Sequence, residues 1–256
     1  MTTMNLKKNI LLCFSCMVLL TACQPSEKNR ITVATAANMQ FAMKALAKDF
    51  SEKTGIACEL VIGSSGKLTA QIREGAPYDV FVAADMKYPE AVYRDGLALF
   101  PPKIYARGKL VLWAAGEITP STDRLTAPET THIALANPKN APYGTAAVEI
   151  LKHYSLWNKV KDKVVYGESI AQTNHFITSG AAGVGFTAMS VVLSPEMQGK
   201  GKWAEIDPES YTPIAQGVVV IRRENTDTLN AERFYDYLFS PEAREVLKDF
   251  GYLVNE

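Results

Sequence analysis

From residue 30 to residue 222, short apolar runs alternate with amphipathic stretches at helical spacing, and this alternation leaves few choices of fold. "RITVATAAN" (30–38) reads as a buried strand, and "MQFAMKALAKDFSEKTG" (39–55) as a helix with an apolar stripe of Phe41, Ala45, Leu46 and Phe50, closed by Gly55. "ACELVIG" (57–63), "KLTAQIREG" (67–75) and "YDVFVAAD" (78–85) repeat the pattern as strand, short helix and strand. Such alternation predicts an α/β architecture on a largely parallel sheet, with binding sites at the carboxyl ends of the strands, where helices begin.

The pattern resumes after the turn-rich "FPPKIYARG". Strands are predicted at "KLVLWAA" (109–115), "HIALAN" (132–137), "KVVYG" (163–167), "AAGVGFTA" (181–188) and "PIAQGVVVIR" (213–222), and helices near 143–155, 169–179 and 228–250. The signals fall into two groups, with a helical region left over at the end. Two lobes follow: 31–107, completed by the C-terminal 217–256, and 108–216. With 256 residues, 47% of them hydrophobic, the chain is long enough for both to be packed. The 27 basic and 27 acidic residues cancel, so no basic field argues for nucleic acid.

The N-terminus reads as a targeting segment. Lys7 and Lys8 precede the apolar run "ILLCFSCMVLL" (10–20), which is too short to span a bilayer, and "LTACQ" follows. "LTACQ" resembles the bacterial lipobox, which implies a lipoprotein signal peptide over 1–22, a lipidated Cys23 as the first mature residue and a polar tether over 23–30. Cys13 and Cys16 leave with the signal, so only Cys58 remains in the folded part, and no disulfide framework or Cys-rich metal site is available. In "ACELVI", Cys58 reads as an inert buried thiol.

Three strand-to-helix junctions share one character. Asn38 is a good N-cap ahead of Met39 and Gln40; "GSSGK" (63–67) offers Ser64 and Ser65 as caps and leaves Gly66 and Lys67 with free N–H groups. In "ANPKNAPYGTAAVEIL" (136–151), Pro142 suits the first helical position and Gly144 allows close approach of a ligand to the backbone. Free N–H groups at helix starts, with no acid beside them, suit an anion.

Catalytic motifs are missing. "GSSGKLT" has two residues between its glycines where a phosphate-binding P-loop has four, and Leu68 stands where that motif needs Ser or Thr. His132, His153 and His175 lack metal-ligand spacing and read as solvated or structural. Asp79 and Asp85 flank a strand, where turn capping accounts for them, and no G-x-S-x-G elbow occurs. Tyr235 and Tyr237, in "RFYDYLFSPEA", read as part of an aromatic core helix.

"ITVATAANM", "VIGSSGKLTAQIREGAPYDVFVAAD", "ALANPKNAPYGTAAVEIL", "GVGF" and "FYDYLFSPEAREVLKDFGY" together resemble, in order and over nearly all of 31–253, the molybdate-binding receptors of ABC importers. The resemblance implies a type II periplasmic-binding-protein fold, two α/β lobes joined by a hinge and closing over one tetrahedral oxyanion. By position it assigns ligand-binding roles to Ala37, Asn38, Ser65, Tyr143 and Ile170, with no direct metal ligands, no catalytic residue and no cofactor. Many family members place a Tyr hydroxyl on the anion where "GVGF" has Phe186, and Asn38 and Tyr143 are expected to stand in for it.

The implied partners are molybdate or tungstate, a membrane permease, and a membrane through the lipid on Cys23; nucleic acid is not among them, and the receptor is expected to be a monomer in the cell envelope. A sulfate or thiosulfate receptor is the nearest alternative. An envelope lipoprotein enzyme on the same scaffold is a further one, disfavoured by the missing nucleophile, base and metal set.

Overall fold

A computed structural model of the chain describes residues 29–117, 119–224 and 227–254. The proposed signal peptide, Cys23 and most of the tether lie outside the described residues. Two five-stranded sheets form the frame. The first contains β1 (Arg30–Ala36), β2 (Ala57–Gly63), β3 (Val80–Ala83), β4 (Lys103–Gly108) and β10 (Ile214–Val220), in the order β2-β1-β3-β10-β4. The second contains β5 (Leu110–Ala114), β6 (Ile133–Ala136), β7 (Val164–Gly167), β8 (Val184–Ala188) and β9 (Lys202–Glu205), in the order β7-β6-β8-β5-β9.

The sheets share one plan. Three neighbouring strands run parallel, the next is antiparallel to both of its neighbours, and the edge strand runs with the first three. Each sheet is therefore mixed rather than purely parallel. The antiparallel members are β5 and β10, the strands through which the chain enters the second sheet and returns to the first. Only Lys109 separates β4 from β5, so the chain passes between sheets almost without a loop. The strand that returns begins at Ile214, within one residue of the start of the predicted run 213–222.

Four helices follow strands of these sheets: α1 (Gln40–Thr54), α2 (Ser65–Arg73), α4 (Pro142–His153) and α6 (Ile170–Thr178); α3 (Lys87–Arg94) and the short α5 (Trp157–Val160) and α7 (Met189–Val192) fill the connections. Gly55 ends α1 in the left-handed conformation, φ 73°, which costs a glycine nothing. The predicted C-terminal helix is two, α8 (Leu229–Tyr237) and α9 (Pro241–Asp249). Pro241 has no N–H to continue a helix, and the Ser240 hydroxyl instead caps α9 by accepting from Ala243 N at 3.2 Å. Both pack on the first sheet, where Phe50 meets Phe234 edge-on at 5.1 Å and Tyr237 at 5.3 Å.

Residues 103–108 form an edge strand despite the prolines at 101 and 102, because both prolines lie before its first ladder bond. Cys58 is half-buried rather than fully enclosed, and burial still pushes its thiol up to about 11. No helix among the described residues is long and apolar enough to cross a membrane.

Candidate anion site between the lobes

The carboxyl ends of β1, β2, β6 and β7 face one another across the cleft, and each leads, through at most a short loop, into a helix. A short 3-10 turn, Ala37–Met39, links β1 to α1; Ser64 and Ser65 start α2; Pro142 and Tyr143 start α4; Ile170 starts α6. Ala36, Ala37, Asn38, Ser64, Ser65, Ala84, Ala141, Pro142, Tyr143 and Ile170 line a single small cavity, with about 10 Å³ open to the centre of a water molecule. At this width the cavity has room for little more than one water-sized group and none for a sugar, peptide or nucleotide. All five residues assigned by resemblance meet here, and each is at most 3% exposed.

The hydrogen bonds already made decide what each wall can offer. Ser65 Oγ accepts from Ala84 N at 3.0 Å, which fills one lone pair and leaves the hydroxyl proton free to point inward. Tyr143 is the second residue of α4, after Pro142, so its N–H has no intrahelical partner, whereas Gly144 N and Thr145 N both bond Ala141 O, at 2.9 and 3.3 Å. Ile170 is the first residue of α6, with Ser169 Oγ capping Gln172 N at 3.4 Å, and its own N–H remains available.

Several expectations need correction. Gly66 N is bonded to Asn140 O at 2.9 Å and Lys67 N to Ser64 Oγ at 3.4 Å, so neither N–H is free. Gly144 does not make room for a ligand: a Cβ there would overlap the Ala136 carbonyl, so the glycine lets α4 pack against the end of β6. Asn38 keeps its place in the wall, but its side-chain amide is engaged behind the site, donating to Gln216 Oε1 at 2.8 Å and to Tyr252 OH at 3.0 Å. With both amide hydrogens used, Asn38 faces the cavity with its backbone N–H at the start of the helix.

Gln216, Tyr252 and Ser190 form a support that the sequence reading missed. Ser190 Oγ donates to Asn38 O at 2.8 Å, Tyr252 OH lies 3.0 Å from Ser190 Oγ, and Gln216 Nε2 donates to Ala84 O at 3.1 Å. One signal was present: Gln216 is a lone polar residue within the apolar strand "PIAQGVVV". The Tyr143 hydroxyl is buried beside this cluster with no hydrogen bond of good geometry, against the backbone of Gly108, where a Cβ would overlap it. Burial holds its phenol well above the ordinary tyrosine range, with Tyr252, Tyr105 and Tyr211 adding to the effect. It therefore stays a protonated donor.

Phe186 sits in β8 within the core of the second lobe and does not line the cavity. No lining residue carries a formal charge. Asp85, one residue beyond Ala84, is the closest acid in sequence; burial pushes its carboxyl up to about 6 against the lowering effects of the Tyr88 N–H and Lys87. Asp79 is structural, accepting from Thr32 N and pairing with Arg223, each at 2.7 Å. His132, His153 and His175 are exposed, and no group of three metal-binding side chains occurs among the described residues.

Comparison with known proteins places this geometry. The family described as bacterial extracellular solute-binding proteins matches residues 31–253. The chain belongs to that family. As a solute-binding protein it is similar to the molybdate-binding protein ModA of Azotobacter vinelandii, 37% identical over 91% of this chain and 93% of that one, and to ModA of Rhodobacter capsulatus, 35% identical over 90% of each. The solved periplasmic molybdate-binding protein of Azotobacter vinelandii superposes with a TM-score of 0.83 at 35% identity, covering 88% of this chain and all of that one. The sulfate-binding protein SubI of Mycobacterium tuberculosis, 16% identical with a TM-score of 0.70, shares the fold. These solute-binding relatives are receptors, and the chain is a binding protein rather than an enzyme.

Proposed function

We propose that this solute-binding protein is the molybdate receptor of an ABC importer, holding the oxyanion between its lobes and presenting it to a membrane permease. The observation that carries the proposal is the convergence of four helix starts, two from each lobe, on one cavity without a formal charge. The backbone donors at Ala37, Asn38, Ser65, Tyr143 and Ile170, with the Ser65 hydroxyl, fit an ion that only accepts hydrogen bonds. Molybdate carries no proton at neutral pH and matches such a wall.

Hydrogen phosphate would bring a proton into a cavity with no carboxylate to receive it, at a cost of about 1–3 kcal/mol. Sulfate lacks the proton and is distinguished by its shorter bonds, which leave donors set for a larger ion out of reach. Tungstate is nearly the size of molybdate and binds the same wall. The receptor uses no cofactor and acts as a monomer. Lipid on Cys23 tethers it at the envelope membrane; in support, a Bacillus subtilis relative, 30% identical over 88% of this chain, is described as a putative ABC transporter substrate-binding lipoprotein.

A thermal-unfolding panel with molybdate, tungstate, sulfate and phosphate tests the proposal. Molybdate at about a thousand times its Kd adds roughly 4 kcal/mol of stability, and phosphate adds none. No shift with either metal oxyanion sinks it.

A further inference from the structure

The two lobes touch beside the anion site through bonds that involve no anion. Gly66 N, in α2 of the first lobe, donates to Asn140 O in the loop ahead of α4 at 2.9 Å, and Tyr88 OH, in α3, donates to Lys139 O at 3.1 Å. The first of these bonds joins the residue that follows Ser65 to the residue three before Tyr143. On the far side, the receiving loop is braced within its own lobe: Asn140 Nδ2 donates to Glu168 Oε2 at 3.3 Å, Asn137 Nδ2 to Glu168 Oε1 at 3.5 Å, and Asn137 Oδ1 accepts from Lys139 N at 3.0 Å. Glu168 itself stands two residues before Ile170. The loops that carry Tyr143 and Ile170 are thus tied to each other, and one of them is tied across the cleft to the loop that carries Ser65.

We infer that the Gly66–Asn140 and Tyr88–Lys139 bonds are a spacer that sets how far the lobes close, and so fixes the size of oxyanion the cavity accepts. Donors carried on two separate bodies would otherwise follow the ion, closing further on a small one and less on a large one. A direct bond between the bodies, one residue from a ligand donor, stops closure at one width. The contact also needs glycine: a Cβ on Gly66 would lie 3.0 Å from Asn140 Cα and 3.1 Å from the Tyr88 hydroxyl, and the first of these is backbone. Gly66 is thereby a positioning residue, and its N–H is spent on the opposite lobe rather than on the anion. The size argument rests on the receptor reading given above.

Gly66→Ala and Tyr88→Phe test the spacer, since neither side chain lines the anion cavity. Titration calorimetry of the full-length protein with molybdate and sulfate gives the ratio of the two dissociation constants, and small-angle scattering without anion gives the radius of gyration. Gly66→Ala, whose Cβ holds the two loops further apart, is expected to raise the sulfate-to-molybdate ratio about tenfold, and Tyr88→Phe, which removes a contact, to lower it about threefold, each with an unliganded radius larger than the wild type. Equal weakening of both ions, or an unchanged ratio in both variants, overturns the spacer. If the wild type binds neither ion, the receptor reading fails instead, and the spacer is decided by the radius alone: larger in the variants supports it, unchanged overturns it. Circular dichroism and melting curves on both variants check that they fold, and Tyr88→Phe, which removes one oxygen atom, decides the test if Gly66→Ala does not fold.

Discussion

At the scale of single residues, the Ser65 oxygen has room for two partners. It accepts from Ala84 N, which leaves its proton free to point into the cavity, where the proposed receptor function would use it. Ser65→Ala therefore removes a ligand donor and also strands a buried amide. Oxyanion affinity should fall by about 1–3 kcal/mol, roughly five- to hundred-fold, with a smaller loss of unliganded stability of about 1 kcal/mol. Calorimetry and denaturant unfolding on the same variant separate the two, and unchanged affinity means that the hydroxyl points elsewhere. Asp85 gives a prediction in pH. Its carboxyl titrates near 6 in the fold against an ordinary 3.8, so the native state holds its proton more tightly than the unfolded chain. The stability that this proton confers is complete below pH 3.8 and is lost as pH rises to about 6. A shift of that size is about 3 kcal/mol for a fully buried group, and partial exposure brings it to about 1 kcal/mol. Asp85→Asn should thus unfold about 1 kcal/mol harder at pH 7.5 and match the wild type near pH 4; a constant offset across that range counts against the assignment.

At the scale of elements, the site depends on where helices begin, and at α4 one close contact controls the start. Gly144 has no room for a side chain because α4 rests on the last carbonyl of β6. Gly144→Ala must lift the first turn of α4 off the sheet, moving the Tyr143 N–H away from the cavity. The expected result is a loss of at least about 2 kcal/mol in stability together with at least tenfold weaker anion binding; full affinity with normal stability would show that the helix start tolerates the change. Much of this level was legible in the sequence. The apolar alternation located most of the strands, and Asn38, Ser64, Ser65 and Pro142 marked helix starts, because those residue types have backbone preferences that act locally. What each start does with its N–H groups was not legible. Gly66 and Lys67 looked free because their partners, Asn140 across the cleft and the Ser64 hydroxyl, depend on lobe closure and on one rotamer. Asn38 looked like a side-chain ligand because Gln216 and Tyr252, which engage its amide, come from the far end of the chain. The edge strand β4 and the break at Pro241 were hidden by prolines, one pair suggesting a loop where a strand follows, and one read as part of a single long helix.

At the scale of the whole molecule, the return of the chain decides the behaviour. β4 passes into β5 through Lys109 alone, and β10 brings the chain back into the first sheet, so two crossings join the lobes while the walls of the cleft belong to different sheets. Ala37, Asn38 and Ser65 belong to one body, and Tyr143 and Ile170 to the other. An anion that satisfies both walls favours the closed state by its differential affinity, because an open cleft offers it only half of the donors. Hydrogen exchange measures this directly. Adding molybdate should slow exchange at the amides of Asn38 and Ser65 and equally at those of Tyr143 and Ile170. The amides of β2 and β7, on the outer edges of the two sheets, should be unaffected beyond their cleft ends. Protection limited to one lobe would mean that the ion binds to a single wall and that closure is not coupled to it. Protection spread evenly through both sheets would mean global stabilisation without a hinge. The pattern expected of two bodies sharing one ion lies between these, with slowed amides on both faces of the cleft and unchanged ones behind them.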